Sequence, residues 1–496
     1  MRVTVSAMTL VLALLIPPSA FAATPTTTTA TPPSATQRIP DAEIVRQVDT
    51  YLKAAMAHDR FRGSILVARN GVPIVNHGYG PANEEWAEPN TPETVFRIGS
   101  VTKQFTAMAI LQLRDRGALT LTDSICTYVS PCPDTWRPIT LRHLLTHTSG
   151  VPNYTSLPDW DERISRLPHT HSALVAEFSQ LPLDFAPGEK FRYSNSGYYL
   201  LGMVIERVTG QPYADVLQKN IFAPLGMTHT GYDRHRDVLP RRAAGYSWSG
   251  NRFINAEDIN VDLAFSAGAL VSTTGDLLRW DQALNTERLV SRRTLEEIFT
   301  PEKNGYGYGW NIGDNVGHRH IGHGGSIHGF SAFISRYPDD RITIIVLSNS
   351  QATSATRLAK NLAAITFGAP VTMPTPVLAD QLWKTITTQG VAAAASQYRA
   401  LRRAPADGID LGEDRLNDLG YDLLKNARTA DAIAIFELGV ETFPQSANAH
   451  DSLGEAYLQA GQRDQAIAHY RQSLALDPKN ANAARMLDEL KKPGQQ

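Results

Sequence analysis

A serine stands three residues before a lysine in Ser100-Val101-Thr102-Lys103, within the run from Phe96 to Thr106. On a helix, residues i and i+3 share a face, so the Lys103 amine can fold back onto the Ser100 hydroxyl. An uncharged amine there would accept the hydroxyl proton, and a serine activated in this way attacks acyl carbons. The helix N-terminus adds unpaired backbone N–H groups and the positive end of a dipole, both suited to a developing oxyanion. The plainer reading is an N-cap serine beside a solvated lysine. The residues after Lys103 speak against it. Phe105, Met108, Ala109, Leu111, Gln112 and Leu113 predict a helix to about Gly117 that is buried nearly all round. A lysine at the buried end of such a helix is costly unless it is paired, neutral or functional.

Two further clusters carry polar chemistry. Tyr193-Ser194-Asn195 follows Pro187-Gly188 and precedes a predicted helix over 197–208 that stops at Gly210, a C-cap residue. A phenol next to a cation such as Lys103 would have its pKa lowered and could move protons, and Asn195 could hold a substrate amide or Lys103 itself. The third cluster runs from His320 through His323-Gly324-Gly325-Ser326 to Phe330. It leads into the alternating segment 331–337, a turn at Pro338 to Arg341, and the apolar strand 342–348. Glycines in such a strand let another backbone approach, and a bare strand edge can take up an extended peptide or acyl amide. The histidines 318, 320, 323 and 328 resemble a metal cluster, but strand alternation sends neighbours to opposite faces. Gly324-Gly325-Ser326-Ile327-His328 lacks the last glycine and the strand-turn-helix setting of a nucleophile elbow. No metal or cofactor is expected.

These groups need a scaffold to hold them. Ala42 to His58 has helical periodicity, and Gly63 to Ala68 and Val72 to Asn76 are β-rich runs joined by Asn70-Gly71, a hairpin signal. The chain has 496 residues, enough for two or three domains, and is 42% apolar with 49 acidic against 47 basic residues. That balance gives no general pull toward nucleic acid or anionic lipid. Residues 1–22 read as an export signal: Arg2, an apolar stretch from Val3 to Ile16 too short to span a bilayer, and Ala20-Phe21-Ala22 before the cut. Export to the periplasm or beyond, with no membrane span after cleavage, is the expectation. Residues 23–40 form a Thr/Pro-rich spacer. In an exported protein, Cys126 and Cys132 are expected to pair as a disulfide. Free thiols, or a zinc site completed by His143 and His147, are the alternatives, the last set back by the wide cysteine spacing.

Taken in order, Ser100-x-x-Lys103, Tyr193-x-Asn195 and His323-x-Gly325 resemble the motifs of the penicillin-recognising serine hydrolases. The likeness is to the branch of class C β-lactamases, D-alanyl-D-alanine carboxypeptidases, D-amino-acid peptidases and β-lactamase-like esterases. Leu144 to Gly150 resembles that family too, and the likeness spans roughly 41–368. It implies an α/β (α+β) fold, an antiparallel sheet flanked by helices with a separate helical lobe, and an active site between them. It implies Ser100 as nucleophile, Lys103 and Tyr193 as the proton-transfer pair, and the backbone N–H groups of Ser100 and Ser326 as the oxyanion hole. Asn195 would bind the substrate side-chain amide, and His323 with Gly324 and Gly325 would line the pocket. The third motif departs from the family's Lys-Thr-Gly. Without the lysine and threonine, a substrate carboxylate loses two partners. A peptide, D-amino-acid or ester substrate is therefore expected rather than a β-lactam.

Beyond residue 410 the pattern changes. Leu416, Leu419, Gly420, Leu423, Ala432, Phe436 and Pro444 recur 34 positions later as His450, Leu453, Gly454, Tyr457, Ala466, Tyr470 and Pro478. That is the period of tetratricopeptide repeats, predicted over 411–492 with a capping helix from Asn482 to Lys492. Two repeats rarely bury a stable core, so the linker 369–410 is expected to add a degenerate helical pair, or the array to dock on the hydrolase. The repeats would either stabilise or present a surface to a protein or peptide partner. The leading function is an exported acyl-serine hydrolase. The alternatives are a true β-lactamase and a catalytically silent penicillin-binding-like sensor whose repeats do the work.

Overall fold

The computed structural model describes residues 39–234, 236–405 and 408–491. The expected export signal, and the spacer apart from Ile39 and Pro40, lie outside the described residues. Strands β1 (Gly63–Arg69) and β2 (Val72–Tyr79) form the anticipated hairpin, with Arg69 opposite Val72. Asn70 and Gly71 take φ of 53° and 76°, the left-handed pair that a two-residue turn of this hand requires. Strands β3 (Asn311–Asn315), β4 (His318–Ile327), β5 (Phe330–Tyr337) and β6 (Ile342–Ser348) complete a six-stranded antiparallel sheet in the order β3-β4-β5-β6-β1-β2.

Strand alternation sends this sheet into two cores. Ile65, Val67, Ile342, Ile344 and Val346 face helices α1 (Asp41–His58) and α5 (Ala355–Phe367). Leu66, Ala68, Ile345 and Leu347 face the other way, into a larger core that contains α2 (Thr102–Asp115) and α3 (Asn195–Thr209). Both faces are covered, which is why β6 is apolar throughout instead of alternating. Helix α4 (Thr274–Ala283) packs on the sheet beside β1 and β6. Its Asp281 holds Arg336 of β5 in an ion pair in which both side chains are 3% exposed. Every residue of α2 from Thr102 through Leu113 is buried, so the helix that follows Ser100 is a central strut.

The C-terminal part is helical: α6 (Leu378–Gln389), α7 (Val391–Arg403), α8 (Glu413–Lys425), α9 (Thr429–Thr442), α10 (Ala447–Gln459), α11 (Arg463–Leu476) and α12 (Ala481–Lys491). Leu382, Trp383 and Tyr398 of the first pair share one apolar cluster with Leu416, Leu423, Phe436 and Leu453, so three helical pairs bury a common core. Gly420 meets the Phe436 ring where a Cβ would lie 2.4 Å from it, the close crossing that the repeat pattern encodes. A small hairpin, Tyr246–Ser249 with Arg252–Asn255, bridges the two parts. At its tip the Ser249 hydroxyl and Gly250 N–H donate to Asp422, at 2.7 and 3.0 Å. At its base the Tyr246 N–H donates to Asn349 O at 3.1 Å. Arg60 reaches across to Asp380 at 2.7 Å.

Candidate active site

Ser100 lies in a short 3-10 turn, Gly99–Val101, that runs directly into α2. Gly99 has φ of 50°, and a Cβ there would lie 2.9 Å from the backbone nitrogen of Ser326. Gly325 has the matching constraint: its Cβ would sit 1.9 Å from Ile98 O and 2.9 Å from Ser100 N. Two bare backbones therefore abut, and the N–H groups of Ser100 and Ser326 come to the same end of β4. Strand β3 pairs only with 318–322 of β4, which leaves the 323–327 stretch without a strand partner on that edge. Gly324 is partly exposed there and Ser326 is exposed.

Lys103 is fully buried. Its Nζ lies 3.0 Å from Ser100 Oγ, 2.8 Å from Asn195 Oδ1 and 2.8 Å from the Ala267 carbonyl. Burial pushes its pKa well below the usual lysine value. An uncharged amine has two N–H donors and one lone pair. The Ala267 carbonyl and the Asn195 amide oxygen can only accept, so they take both donors. The lone pair is left for Ser100, whose hydroxyl then donates to Nζ. The tetrapeptide's chemistry thus depends on two acceptors that are distant in sequence.

Tyr193 is half-buried with its ring 4.8 Å from Lys103 Nζ. Its hydroxyl is buried without a hydrogen-bond partner among the described residues. The expected lowering of its pKa is not found. Burial pushes the phenol up, and no pull from Lys103 offsets it. The helix after it begins at Asn195, two residues earlier than the sequence predicts, and the Ser194 side chain caps nothing. Asn195 is instead pinned from both sides: its N–H donates to Asn153 Oδ1 at 2.9 Å, and its Nδ2 donates to Thr155 Oγ1 at 2.9 Å.

His323, expected to line the pocket, lies against Tyr306 with its ring 6.2 Å from that of Tyr193. It is 3% exposed, Nδ1 donates to Gly324 O at 2.6 Å, and Nε2 accepts from the Tyr306 hydroxyl at 2.9 Å. Burial holds its pKa down to about 3, so it is neutral and both ring nitrogens are engaged. The other strand histidines point elsewhere, His318 to Asp340 and His320 to Ser335. Cys126 and Cys132 are joined in a disulfide, and His143 closes a capping box with Thr140.

Several groups of the site carry no motif of their own. His147 adopts φ of 55°, and its ring lies 4.2 Å from that of Tyr193, tilted by 37°. Its Nδ1 accepts the Ser194 N–H at 3.2 Å, and burial drives its pKa well down, so Nε2 carries the only proton. Nothing in the sequence marks Tyr306, Ala267, Asn153 or Thr155; of these groups only His147 lies in a stretch, Leu144 to Gly150, that resembles the family. Size is no guide either: a cleft of about 830 Å³ lined by Asn70, Asp281, Arg292, Phe299 and Arg341 shares no residue with this site.

The family described as "Beta-lactamase" matches residues 48–367, and "Tetratricopeptide repeat" matches 447–480. The chain is 31% identical over 354 residues to penicillin-binding protein 4* of Bacillus subtilis (strain 168), covering 66% of this chain and 77% of that one. The octameric penicillin-binding protein homologue of Pyrococcus abyssi superposes with a TM-score of 0.59 at 29% identity, over 66% of this chain and 78% of that one. The D-amino acid amidase of Ochrobactrum anthropi SV3, complexed with D-phenylalanine, gives 0.57 at 26% identity, over 65% and 98%.

Proposed function

We propose that this chain, which belongs to the β-lactamase family and ends in a tetratricopeptide region, is an exported serine hydrolase working through an acyl-serine intermediate on peptide, D-amino-acid or ester substrates. The observation that carries the reading is the hydrogen-bond set of Lys103, which leaves a lone pair aimed at the Ser100 hydroxyl. Ser100 Oγ bonds to the acyl carbon as its proton passes to Lys103 Nζ. The carbonyl oxygen becomes an oxyanion facing the backbone N–H groups of Ser100 and Ser326. Collapse breaks the bond to the leaving group, which takes a proton from the Lys103 and Tyr193 pair. Tyr193 suits that step because it stays protonated. Water then attacks the ester, gives its proton to the same pair, and Ser100 is released with a proton restored.

Substrate class rests on His323. A neutral imidazole with both nitrogens engaged offers no cation to a substrate carboxylate, which favours an ester, amide or peptide over a β-lactam. Export is supported by the N-terminal pattern and by the disulfide. A protein or peptide partner for the repeats is part of the same proposal.

The test is labelling with a fluorescent fluorophosphonate and a fluorescent penicillin, beside turnover of p-nitrophenyl esters, D-amino-acid peptides and a chromogenic cephalosporin. Wild type is expected to be labelled and to cleave esters or peptides faster than the cephalosporin, and Ser100→Ala to do neither. Equal labelling of both proteins, or turnover that survives Ser100→Ala, would refute the mechanism.

A further inference from the structure

The cleft of about 830 Å³ that lies apart from Ser100 opens between the end of α4, the helix Arg292–Ile298, strand β4 and the turn from β5 to β6. That is room for a small molecule. Arg336 lines it, although its side chain is only 3% exposed. Two of the three guanidinium nitrogens are committed to protein. Nε donates to Asp281 Oδ1 at 2.6 Å, and Nη2 donates to Asn285 Oδ1 at 2.8 Å and to Asp281 O at 3.4 Å. Nη1 carries two more N–H donors and has no acceptor among the described residues. Asp281 is not free to serve it, because Oδ2 already accepts from the Thr343 hydroxyl at 2.6 Å and from Gln282 Nε2 at 2.7 Å. Nη1 is not sealed from solvent either, and the cleft is the space that Arg336 lines. A guanidinium edge at this depth is costly without an acceptor. The wall beside it is apolar: the guanidinium carbon lies 5.0 Å from the half-buried Phe299 ring, and Leu284 and Leu295 line the same cleft.

We propose that this cleft binds a small monocarboxylate with an apolar body, such as an aryl carboxylate, whose oxygen accepts from Arg336 Nη1 while the body lies against Leu284, Leu295 and Phe299. The rim does not choose the ligand, since Arg292, Arg319 and Arg341 stand against Glu287, Glu296 and Asp339. Discrimination lies at Arg336, where an ionised acceptor makes a shorter and stronger bond than a neutral carbonyl. Asp281 already offsets one unit of that charge, so a phosphate monoester would bring a second negative charge with no partner. The ligand site shares no residue with the Ser100 site and stands independently of the hydrolase reading.

The probes are 2-naphthoate, 2-naphthamide and 2-naphthyl phosphate, which share a ring system and differ in the polar end, titrated against the full chain by calorimetry. The naphthoate is expected to bind about tenfold tighter than either of the others. Arg336→Lys keeps a cation beside Asp281 but removes Nη1, and the naphthoate Kd is expected to rise about tenfold in it while the amide Kd stays within twofold. A measurement on wild type decides the place even where that variant does not fold. Near-ultraviolet irradiation with 4-benzoylbenzoate, an aryl carboxylate that inserts into nearby C–H bonds, is expected to leave adducts on peptides carrying Leu284, Leu295 or Phe299. Excess 2-naphthoate should suppress them. Equal binding of the naphthoate and the amide, an unchanged naphthoate Kd in folded Arg336→Lys, or adducts only outside the cleft overturns the proposal.

Discussion

Replacing Lys103 with methionine is expected to abolish turnover while changing stability in a direction that depends on pH. In the folded protein the amine is fully buried and its pKa lies well below 10.5, whereas in the unfolded chain it is an ordinary lysine. Between those two values the unfolded state binds one more proton than the native state. Wild-type stability therefore rises with pH through that window, at ~1.4 kcal/mol per pH unit. The methionine variant has no such group and lacks this slope. The other titratable groups are the same in both proteins, so their contribution cancels in the comparison, and the cysteines are paired. The stability difference between the two proteins should then change by ~1.4 kcal/mol per pH unit wherever the pH lies between the native and unfolded pKa values of Lys103.

A second contribution has the opposite sign and is constant. Methionine leaves Asn195 Oδ1 and the Ala267 carbonyl without their donor, at about 1–3 kcal/mol each if they stay dry. The variant should thus gain on wild type as pH falls and lose as it rises. Urea unfolding at five pH values measures this. Trp280 is a suitable reporter, since its Nε1 donates to Gln104 Oε1 on the same helix as Lys103, at 2.9 Å. A difference that is flat with pH would mean that Lys103 is charged in the native state, and the lone-pair argument for Ser100 would fall with it. Ester turnover in the same variant should drop by about 10³-fold or more.

Gly325→Ala places a methyl group against Ile98 O, and the strand must move off the nucleophile's backbone; kcat for ester hydrolysis should fall by ~10²-fold, with KM less affected. Asp281→Ala strips the buried Arg336 of its partner and should lower the unfolding free energy by about 3–5 kcal/mol, read from urea midpoints at constant m. Asp422→Ala removes three contacts to the tip of the bridging hairpin, so limited proteolysis should cut faster between residues 368 and 412 while ester kcat holds. Changing both Cys126 and Cys132 to serine opens a loop of six-residue separation and should cost roughly 2 kcal/mol, visible as a lower Tm.

Much of this protein was legible without coordinates. The Asn70-Gly71 turn, the all-round apolar helix after Ser100, the glycine-rich strand and the 34-residue repeat are local patterns, and local sterics and periodicity suffice to read them. The positions of Ser100, Lys103, Tyr193 and Asn195 could be named because their spacings lie within single motifs. Their protonation states could not. A tyrosine beside a lysine suggests a lowered phenol pKa only if the lysine is charged, and burial by distant segments decides that. His323 looked like a pocket residue because its place in a strand was clear, while the partner that occupies it, Tyr306, comes from a separate turn. Sequence alone determined which residues could do chemistry and much of which elements hold them. Only the tertiary structure decided that the Lys103 amine is dry, that burial lowers its pKa, and that Asn195 and Ala267 hold it with two acceptors. Desolvation and hydrogen-bond saturation are sums over neighbours that the chain brings together from as far as Ala267, and no spacing encodes them.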